Sequence, residues 1–255
     1  MSDLKGRIVL VTGASKGIGA AIARTLGRQG ASVIAQYGGD KAGAEQATGG
    51  MAASNRLLVQ ADLGKPGAGR KVWEEAVAWR GHVDVLVNNA AVMPFEGGIY
   101  DEDAVWDDAW DRCWQVNVKT PADITREAVR HFRERSGGVL VTLSSWVAQR
   151  GSTNPATIAY AASKAAAMAT TKTVARAYAK DNVLAYIIAP GVVRTRMSEE
   201  FAATQGGEEK VTAGLAMGEW VPPADIAELV AFLATGACRH LTGATLDVNG
   251  ASYVR

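Results

Sequence analysis

Short apolar runs alternate with longer amphipathic or alanine-rich stretches along the whole chain. The short runs are rich in β-branched residues and are bounded by Gly, Asn, Asp or Pro, a pattern typical of buried strands. Because such runs alternate with helical stretches, we predict an α/β fold: a doubly wound sheet of about seven parallel strands with helices on both faces. The predicted strands lie at 7–12, 31–36, 56–60, 83–88, 138–143, 183–189 and 244–248.

No linker, repeat or low-complexity tract interrupts this alternation, so we predict one domain over residues 1–255. Sheets of this kind bind ligands beyond the carboxyl ends of their strands, at the point where the strand order reverses. Residues that follow the predicted strands are therefore the first candidates for a functional site.

Charge and composition narrow the function classes. With 27 basic and 26 acidic residues the net charge is +1, so neither nucleic acid nor a membrane surface is expected as a partner. The cysteines (Cys113, Cys238) and three histidines are scattered, which argues against a metal site or a disulfide framework. The apolar run near the N-terminus is too short for a signal peptide or a membrane span, and we expect a cytoplasmic protein.

A glycine-rich turn, "TGASKGIG" at 12–19, joins the first predicted strand to an apolar helix. Gly13 would permit a tight turn, Gly17 a close approach to a pyrophosphate, and Gly19 close packing of the helix on the sheet. A glycine-rich segment can also be no more than a turn. The strand before it and the helix after it favour dinucleotide binding.

A second candidate is "YAASK" at 160–164, which opens an alanine-rich run. On a helix, residues four apart lie on one face, so Tyr160 and Lys164 would be neighbours and could form a proton-transfer pair. An exposed helix can also carry both residues for solubility alone.

Taken in order, the motifs resemble those of the short-chain dehydrogenase/reductase family, including its 3-oxoacyl-acyl-carrier-protein reductase-like members. They are the glycine turn, "NNAAV" at 88–92, Asn117, Ser145, "YAASK" and "PGVVRT" at 190–195. The resemblance covers essentially the whole chain. It implies a Rossmann-type fold and an enzyme that interconverts a ketone and a secondary alcohol with a nicotinamide cofactor.

The resemblance also implies catalytic roles for Asn117, Ser145, Tyr160 and Lys164. Tyr160 would be the acid/base, Lys164 would tune it and grip the nicotinamide ribose, and Ser145 would hold the substrate oxygen. Asn117 would hold a water in a proton relay, although a helix-interior amide can also bond only to the backbone. Ser144 is the rival of Ser145, because successive strand side chains point to opposite faces.

The phenol of Tyr160 has an ordinary pKa of about 10, and a value near 7 requires roughly 4 kcal/mol of stabilisation of the phenolate. Lys164 would supply one positive charge and the oxidised nicotinamide another.

The end of the second predicted strand bears on the cofactor. An acidic residue there would grasp the ribose 2′-hydroxyl, but Gln36 and Tyr37 stand in its place and Asp40 comes too late. Lys16 could meet a 2′-phosphate, so NADP(H) is favoured over NAD(H). The implied cofactor-binding set is Gly13, Ser15, Lys16, Gly17, Ile18, Gly19, Tyr37, Asp62, Leu63, Asn88, Asn89, Ala90, Tyr160, Lys164, Pro190, Gly191, Val193 and Thr195.

The substrate is less well defined by the sequence. We expect a small carbonyl or alcohol compound, with 3-oxoacyl thioesters among the candidates. It would be chosen by Trp146, Val147, Val92, Met93 and a segment at about 195–220, in which no charged anchor stands out. Two rival hypotheses are an inactive NADP-binding regulator and an epimerase or dehydratase on the same fold.

Three tryptophans, Trp106, Trp110 and Trp114, recur every four residues on one helix face. Such a stripe is more often core or subunit interface than a ligand site. Since members of the family commonly pair through these helices, the resemblance implies a homodimer or homotetramer.

Overall fold

The structure, a computed structural model, describes residues 3–255. All seven predicted strands are present and form one parallel sheet, in the order β3-β2-β1-β4-β5-β6-β7, which confirms the predicted fold class. No bound is more than two residues from its predicted run. The strands are β1 (Ile8–Val11), β2 (Ser32–Tyr37), β3 (Arg56–Gln60), β4 (Val85–Asn88), β5 (Gly138–Leu143), β6 (Val183–Pro190) and β7 (Thr245–Val248).

Ten α-helices occur among the described residues, and the longer ones cover both faces of the sheet. They are α1 (Gly17–Arg28), α2 (Lys41–Thr48), α3 (Ala68–Arg80), α4 (Asp103–Trp114), α5 (Thr120–Glu134), α6 (Val147–Arg150), α7 (Ile158–Tyr178), α8 (Arg196–Thr204), α9 (Glu208–Ala213) and α10 (Pro223–Ala234). Within residues 3–255, none of the helices combines the length and the apolar character that crossing a membrane would need.

Alternating strand residues divide the interior into two cores. On β1, Val9 and Val11 face α1 and α10, whereas Ile8 and Leu10 face α3, α5 and α7. Burial of both strand faces explains why these segments read as nearly continuous apolar runs in the sequence.

The strand order reverses between β1 and β4. β2 and β3 lie on one side of β1, and β4 pairs with its other side, with Val11 opposite both Ala35 and Val87. The connections that leave β1 and β4 therefore diverge to opposite sides and open a crevice at the carboxyl edge of the sheet. All seven strands join one sheet. The prediction of a single domain over 1–255 stays a prediction, because residues 1 and 2 lie outside the described part.

Phe132 is a sensitive test of the second core. Its ring is fully buried, lies 6.1 Å from Trp73 in an edge-to-face arrangement, and fills the space over Gly138. We expect Phe132→Ala to lower the free energy of unfolding by about 3–5 kcal/mol, because the cavity cannot fully collapse. Phe232→Ala is the matched control. Because Phe232 is 41% exposed, this substitution should lower the free energy of unfolding much less. Urea unfolding measures both, and equal losses would contradict this packing.

Candidate active site

The glycine-rich turn lies at the carboxyl end of β1, beside the crevice. Gly13 adopts φ +66°, a conformation that favours glycine. A Cβ on Gly19 would collide with the carbonyl oxygen of Gly13, so this position needs glycine for close approach of helix and turn. Gly17 begins α1, and its neighbour Lys16 provides no side-chain cap. The first N–H groups of α1 therefore face the turn without a side-chain acceptor, which suits an anion.

Side chains from β2 and from the end of β4 hold the turn in place. Gln36 Oε1 accepts from Gly13 N at 2.9 Å, while its Nε2 donates to the Ala61 carbonyl at 2.9 Å. Asn89 Nδ2 donates to the Thr12 carbonyl oxygen at 2.8 Å. The sequence identified Asn89, but Gln36 was considered only as the place of a missing acid. Its role as a brace was missed, because strand periodicity does not reveal which strand-end amide meets the turn.

The end of β2 is open and carries no carboxylate directed at it. Gly38 and Gly39 are exposed, and a Cβ on either would meet no atom within 4 Å. Asp40 instead caps α2, accepting from Gly43 N at 2.9 Å. Tyr37 is buried, and Lys16 is exposed on the turn. A dinucleotide with a phosphate on its adenine ribose fits these residues, since the turn provides N–H donors and the strand end provides space.

The other predicted cofactor residues lie around the same crevice. Ala90 contacts Gly13, whereas Asn88 directs its amide away, donating to Thr125 Oγ1 at 2.9 Å. Asp62 is exposed and accepts from Gly64 N at 2.9 Å, beside buried Leu63. Ser15 and Ile18 are half-buried on the turn itself.

The "PGVVRT" segment faces the turn from the end of β6. A Cβ on Gly17 would lie 3.2 Å from Thr195 Cγ2, so the two segments bound one narrow space. Thr195 also caps α8, where its hydroxyl accepts from Ser198 N. A bridge to Val221 uses the N–H of Arg194 and the carbonyl of Val192, which leaves the peptide groups of Val193 outside it. Pro190 and Gly191 end the strand through hydrogen bonds to Trp146 and Val248.

The two serines after β5 point in different directions. Ser144 Oγ donates to the Lys164 carbonyl oxygen at 3.0 Å and is engaged by α7. Ser145 instead lines a cavity together with Tyr160, and its hydroxyl near the phenol lowers the pKa of Tyr160. Of the two alternatives that the sequence left open, the structure brings Ser145 to the phenol.

Burial dominates the electrostatics of Tyr160. It raises the pKa of the phenol to about 12; the neighbouring Ser145 hydroxyl opposes this rise, and the charge of Cys113 adds to it. The protein alone therefore keeps the phenol protonated at neutral pH, opposite to the lowering that the sequence suggested. A value near 7 would now need about 7 kcal/mol from other charges, at about 1.4 kcal/mol per unit. Protonated Tyr160 is the form that can donate a proton to a substrate oxygen.

Lys164 lies beneath the Tyr160 ring. Its Nζ is 5.7 Å from the ring centroid and donates to the Leu143 carbonyl oxygen at 2.8 Å. The side chain is 4% exposed, and burial lowers the pKa of Lys164 to about 8. The sequence prediction that the two residues share a helix face is confirmed by this geometry.

Asn117 connects α7 to the loop that follows β4. It lies in a π-helical turn, Gln115–Lys119, between α4 and α5. Its Nδ2 donates to the Val92 carbonyl at 2.9 Å and to Ser163 Oγ at 3.0 Å, and Ser163 in turn donates to the Tyr160 carbonyl at 2.7 Å. Both N–H groups of the amide are used, so a relay water at Asn117 would have to meet the main chain or Oδ1.

Tyr160 and Ser145 lie on one wall of a cavity of about 350 Å³, a size that suits a small molecule. The wall includes the expected Met93, Trp146 and Val147, but not Val92. Four residues that the sequence did not single out come from the stretch between Ser145 and Tyr160. They are Arg150, Ser152, Thr153 and Thr157.

The segment at 195–220 forms the opposite wall through α8 and α9. Arg194 pairs with Glu208 and stacks on Trp220 at 4.4 Å, and Trp220 Nε1 donates to Thr212 Oγ1 at 2.8 Å. Lys210 of α9 lines the cavity. The sequence did not single out Lys210 as a cavity residue.

With a doubly wound sheet, a glycine turn at the switch point and a Tyr-Lys pair beside a cavity, the chain has the architecture of a dinucleotide-dependent oxidoreductase. Comparison with known proteins identifies the family. The family model described as "Enoyl-(Acyl carrier protein) reductase" matches residues 13–251. The chain is 34% identical to "Dehydrogenase/reductase SDR family member 4" of Homo sapiens, over 99% of this chain and 89% of that protein.

Solved structures of similar proteins support the same family. A 3-oxoacyl (acyl-carrier-protein) reductase from Agrobacterium tumefaciens C58 with NADP bound has a TM-score of 0.85 and 33% identity, covering 97% of this chain and 95% of that chain. A 3-ketoacyl-(acyl-carrier-protein) reductase from Brucella melitensis complexed with NADH has a TM-score of 0.86 and 30% identity, covering 99% and 100%. The chain belongs to the short-chain dehydrogenase/reductase family and is an oxidoreductase of that family.

The lowered pKa of Lys164 predicts a pH-dependent stability. Folding must remove a proton from Lys164 between pH 8 and the unfolded value of 10.5, and the unfolded state binds more protons in this range. Stability relative to Lys164→Met should therefore rise with pH from about 8 to about 10.5, by about 3 kcal/mol at most. Urea unfolding of both proteins across this range measures the difference.

Lys172→Met is the matched control, because Lys172 lies exposed on the same helix. The difference in free energy of unfolding between Lys172→Met and the wild type should not change over the same pH range. A flat difference for Lys164→Met would contradict the burial of this ammonium.

Proposed function

We propose that the chain interconverts a ketone and a secondary alcohol, with NADP(H) as the hydride carrier and Tyr160 as the acid/base. The observation that carries this proposal is the group of Tyr160 and Ser145 on one cavity wall, with Lys164 buried beneath the phenol ring. A cavity of this size beside the crevice would place a small substrate next to the cofactor.

When bound, the reduced nicotinamide supplies a hydride to the carbonyl carbon. Ser145 donates a hydrogen bond to the carbonyl oxygen, and Tyr160 gives that oxygen its proton. Lys164 stabilises the phenolate that remains, through its charge beneath the ring. Asn117 is a positioning residue, because it fixes the helix turn of Tyr160 through Ser163. In the oxidative direction the same groups act in reverse, with the phenolate as base.

NADP(H) is the proposed cofactor and NAD(H) the second possibility. The open, carboxylate-free end of β2 and the exposed ammonium of Lys16 support NADP(H). Solved relatives carry NADP in one case and NADH in another. The pyrophosphate would lie at the glycine turn, and the nicotinamide between Thr195, Val193 and Lys164. The roles of the other predicted contacts, including Asn88 and Asp62, stay predictions.

The reductase relatives make a 3-oxoacyl thioester one candidate substrate. The intact set of Tyr160, Ser145 and Lys164 supports an active enzyme over an inactive regulator. We also propose a homodimer or homotetramer built through α4 and α5. Trp114 is 51% exposed at the end of the tryptophan stripe, which supports this interface. A cytoplasmic location stays a prediction.

Tyr160→Phe tests the reaction class. Removal of the acid/base hydroxyl should lower kcat for reduction of a ketone panel with NADPH by about 10²–10⁴-fold. Affinity for NADPH should change little. Turnover is followed by absorbance of the reduced nicotinamide, and binding by its fluorescence. Tyr178→Phe, at the other end of α7, is the matched control and should retain wild-type rates. Equal rates for wild type and Tyr160→Phe would refute the assigned role.

Gly38→Asp tests the cofactor preference. The Cβ of the new aspartate would meet no atom within 4 Å, and its carboxylate would lie near the proposed position of the adenine ribose, where it would repel a 2′-phosphate and accept from a 2′-hydroxyl. The ratio of kcat/KM for NADPH to that for NADH should fall by about tenfold or more. Gly50→Asp is the matched control, at an equally open position away from the crevice. An unchanged ratio in Gly38→Asp would place the ribose elsewhere.

A further inference from the structure

Two cationic side chains line the cavity without a carboxylate partner. Arg150 contributes from the end of α6 and Lys210 from α9, and neither forms an ion pair with any residue of the described chain. Two arginines of the neighbouring segment do have carboxylate partners: Arg194 pairs with Glu208, and Arg196 pairs with Glu200. The cations that reach the cavity are therefore the ones left without a neutralising group.

Arg150 is exposed and stacks on an aromatic ring of the cavity wall. Its guanidinium carbon lies 4.4 Å from the centroid of the Trp146 ring, and Trp146 itself lines the cavity. Stacking uses the face of the guanidinium and leaves its N–H groups free at the edge. A planar, oriented fork of this kind suits two oxygens of one carboxylate or phosphate.

Lys210 approaches from the other side. A Cβ on Gly206 would lie 3.4 Å from Lys210 Nζ, so the side chain lies back over the loop between α8 and α9. The two cations thus belong to different walls: one follows β5, and the other belongs to the segment after β6. An anion between them would link the two walls.

The remaining lining residues contribute no opposing charge. They are apolar, or they carry neutral hydroxyl or amide groups, and no aspartate or glutamate is among them. The wall of the cavity therefore carries a formal charge of +2, from Arg150 and Lys210. Both side chains are exposed, so a neutral substrate would leave their charges to solvent, whereas one anionic group in the cavity would pair with them.

We propose that the cavity takes a small carbonyl compound that carries an anionic group, a carboxylate or a phosphate, bound by Arg150 and Lys210. This inference rests on the proposed function and adds the substrate class. In the reaction, NADPH gives a hydride to the carbonyl carbon and becomes NADP⁺. Tyr160 gives a proton to the oxygen, so the C=O bond becomes CH–OH, and the phenolate regains its proton from solvent. The anionic group keeps its charge throughout.

Matched pairs of substrates test the proposal. The oxo acids 3-oxobutanoate, 4-oxopentanoate and 5-oxohexanoate are each compared with their methyl esters, and dihydroxyacetone phosphate with dihydroxyacetone. We expect kcat/KM to favour the anionic member of at least one pair by about tenfold or more, mainly through KM, because charge-assisted hydrogen bonds are lost in the neutral member. The pair that shows the preference identifies carboxylate or phosphate.

Arg150→Gln and Lys210→Gln should each lower the preference for the anionic member by about tenfold. Lys210→Arg, which keeps the charge, should retain it. Arg196→Gln is the matched control, because Arg196 lies on the same segment, outside the cavity and paired with Glu200. A wild-type ratio near one in every pair, or a ratio unchanged in Arg150→Gln and Lys210→Gln, would overturn the proposal.

A binding measurement separates this inference from the proposed function. In the Tyr160→Phe protein loaded with NADP⁺, the anionic member should raise the melting temperature more than its neutral partner, and Arg150→Gln should abolish this difference. If no compound is reduced but the difference persists, the reaction class fails and the anion site stands. If neutral ketones are reduced and the difference is absent, the anion site fails and the reaction class stands.

Discussion

The buried ammonium of Lys164 is the group on which the geometry of the site depends. Its Nζ donates to the Leu143 carbonyl at the end of β5, and its own carbonyl accepts from Ser144. Helix α7 is therefore tied to β5 at two points of one residue. Because Ser145 follows directly and Tyr160 lies one turn earlier on α7, these two bonds also fix the distance between the phenol and its serine. A buried charge is costly unless hydrogen bonds satisfy it, and here the bonds that satisfy it also orient the proposed catalytic groups.

A second tie supports the same helix from the opposite side. Asn117 holds Val92 through both of its peptide groups and reaches Ser163, which bonds to the Tyr160 carbonyl. The π-helical turn between α4 and α5 lets the amide point at the end of β4 and at α7. Two separate hydrogen-bond networks, one at Lys164 and one at Asn117, therefore fix the helix turn that carries Tyr160. The Tyr160 hydroxyl belongs to neither network and can take part in the proposed chemistry.

Much of the fold could be predicted from sequence, because each strand is buried on both faces and therefore reads as an apolar run. The glycine turn and the Tyr160–Lys164 pair were also predictable, since both are local spacings on one element. The pKa of Tyr160 was not, because it depends on how deeply neighbouring segments bury the phenol. The cations of the cavity were missed for a related reason: Arg150 reaches the wall only through the path of a long connection, and stacking on Trp146 directs it there.

Support of the glycine turn and choice of the coenzyme are assigned to different residues at the end of β2. Gln36 supports the turn. It is 1% exposed and holds both the glycine turn and the residue after β3, so its replacement would disturb the turn that is proposed to bind the pyrophosphate. At Gly38, two residues on, an added Cβ would meet no atom within 4 Å. If the cofactor ribose lies beside Gly38 as proposed, coenzyme preference can change through an open surface position while Gln36 keeps the glycine turn in place. The residues that would choose the coenzyme are then separate from those on which the fold depends.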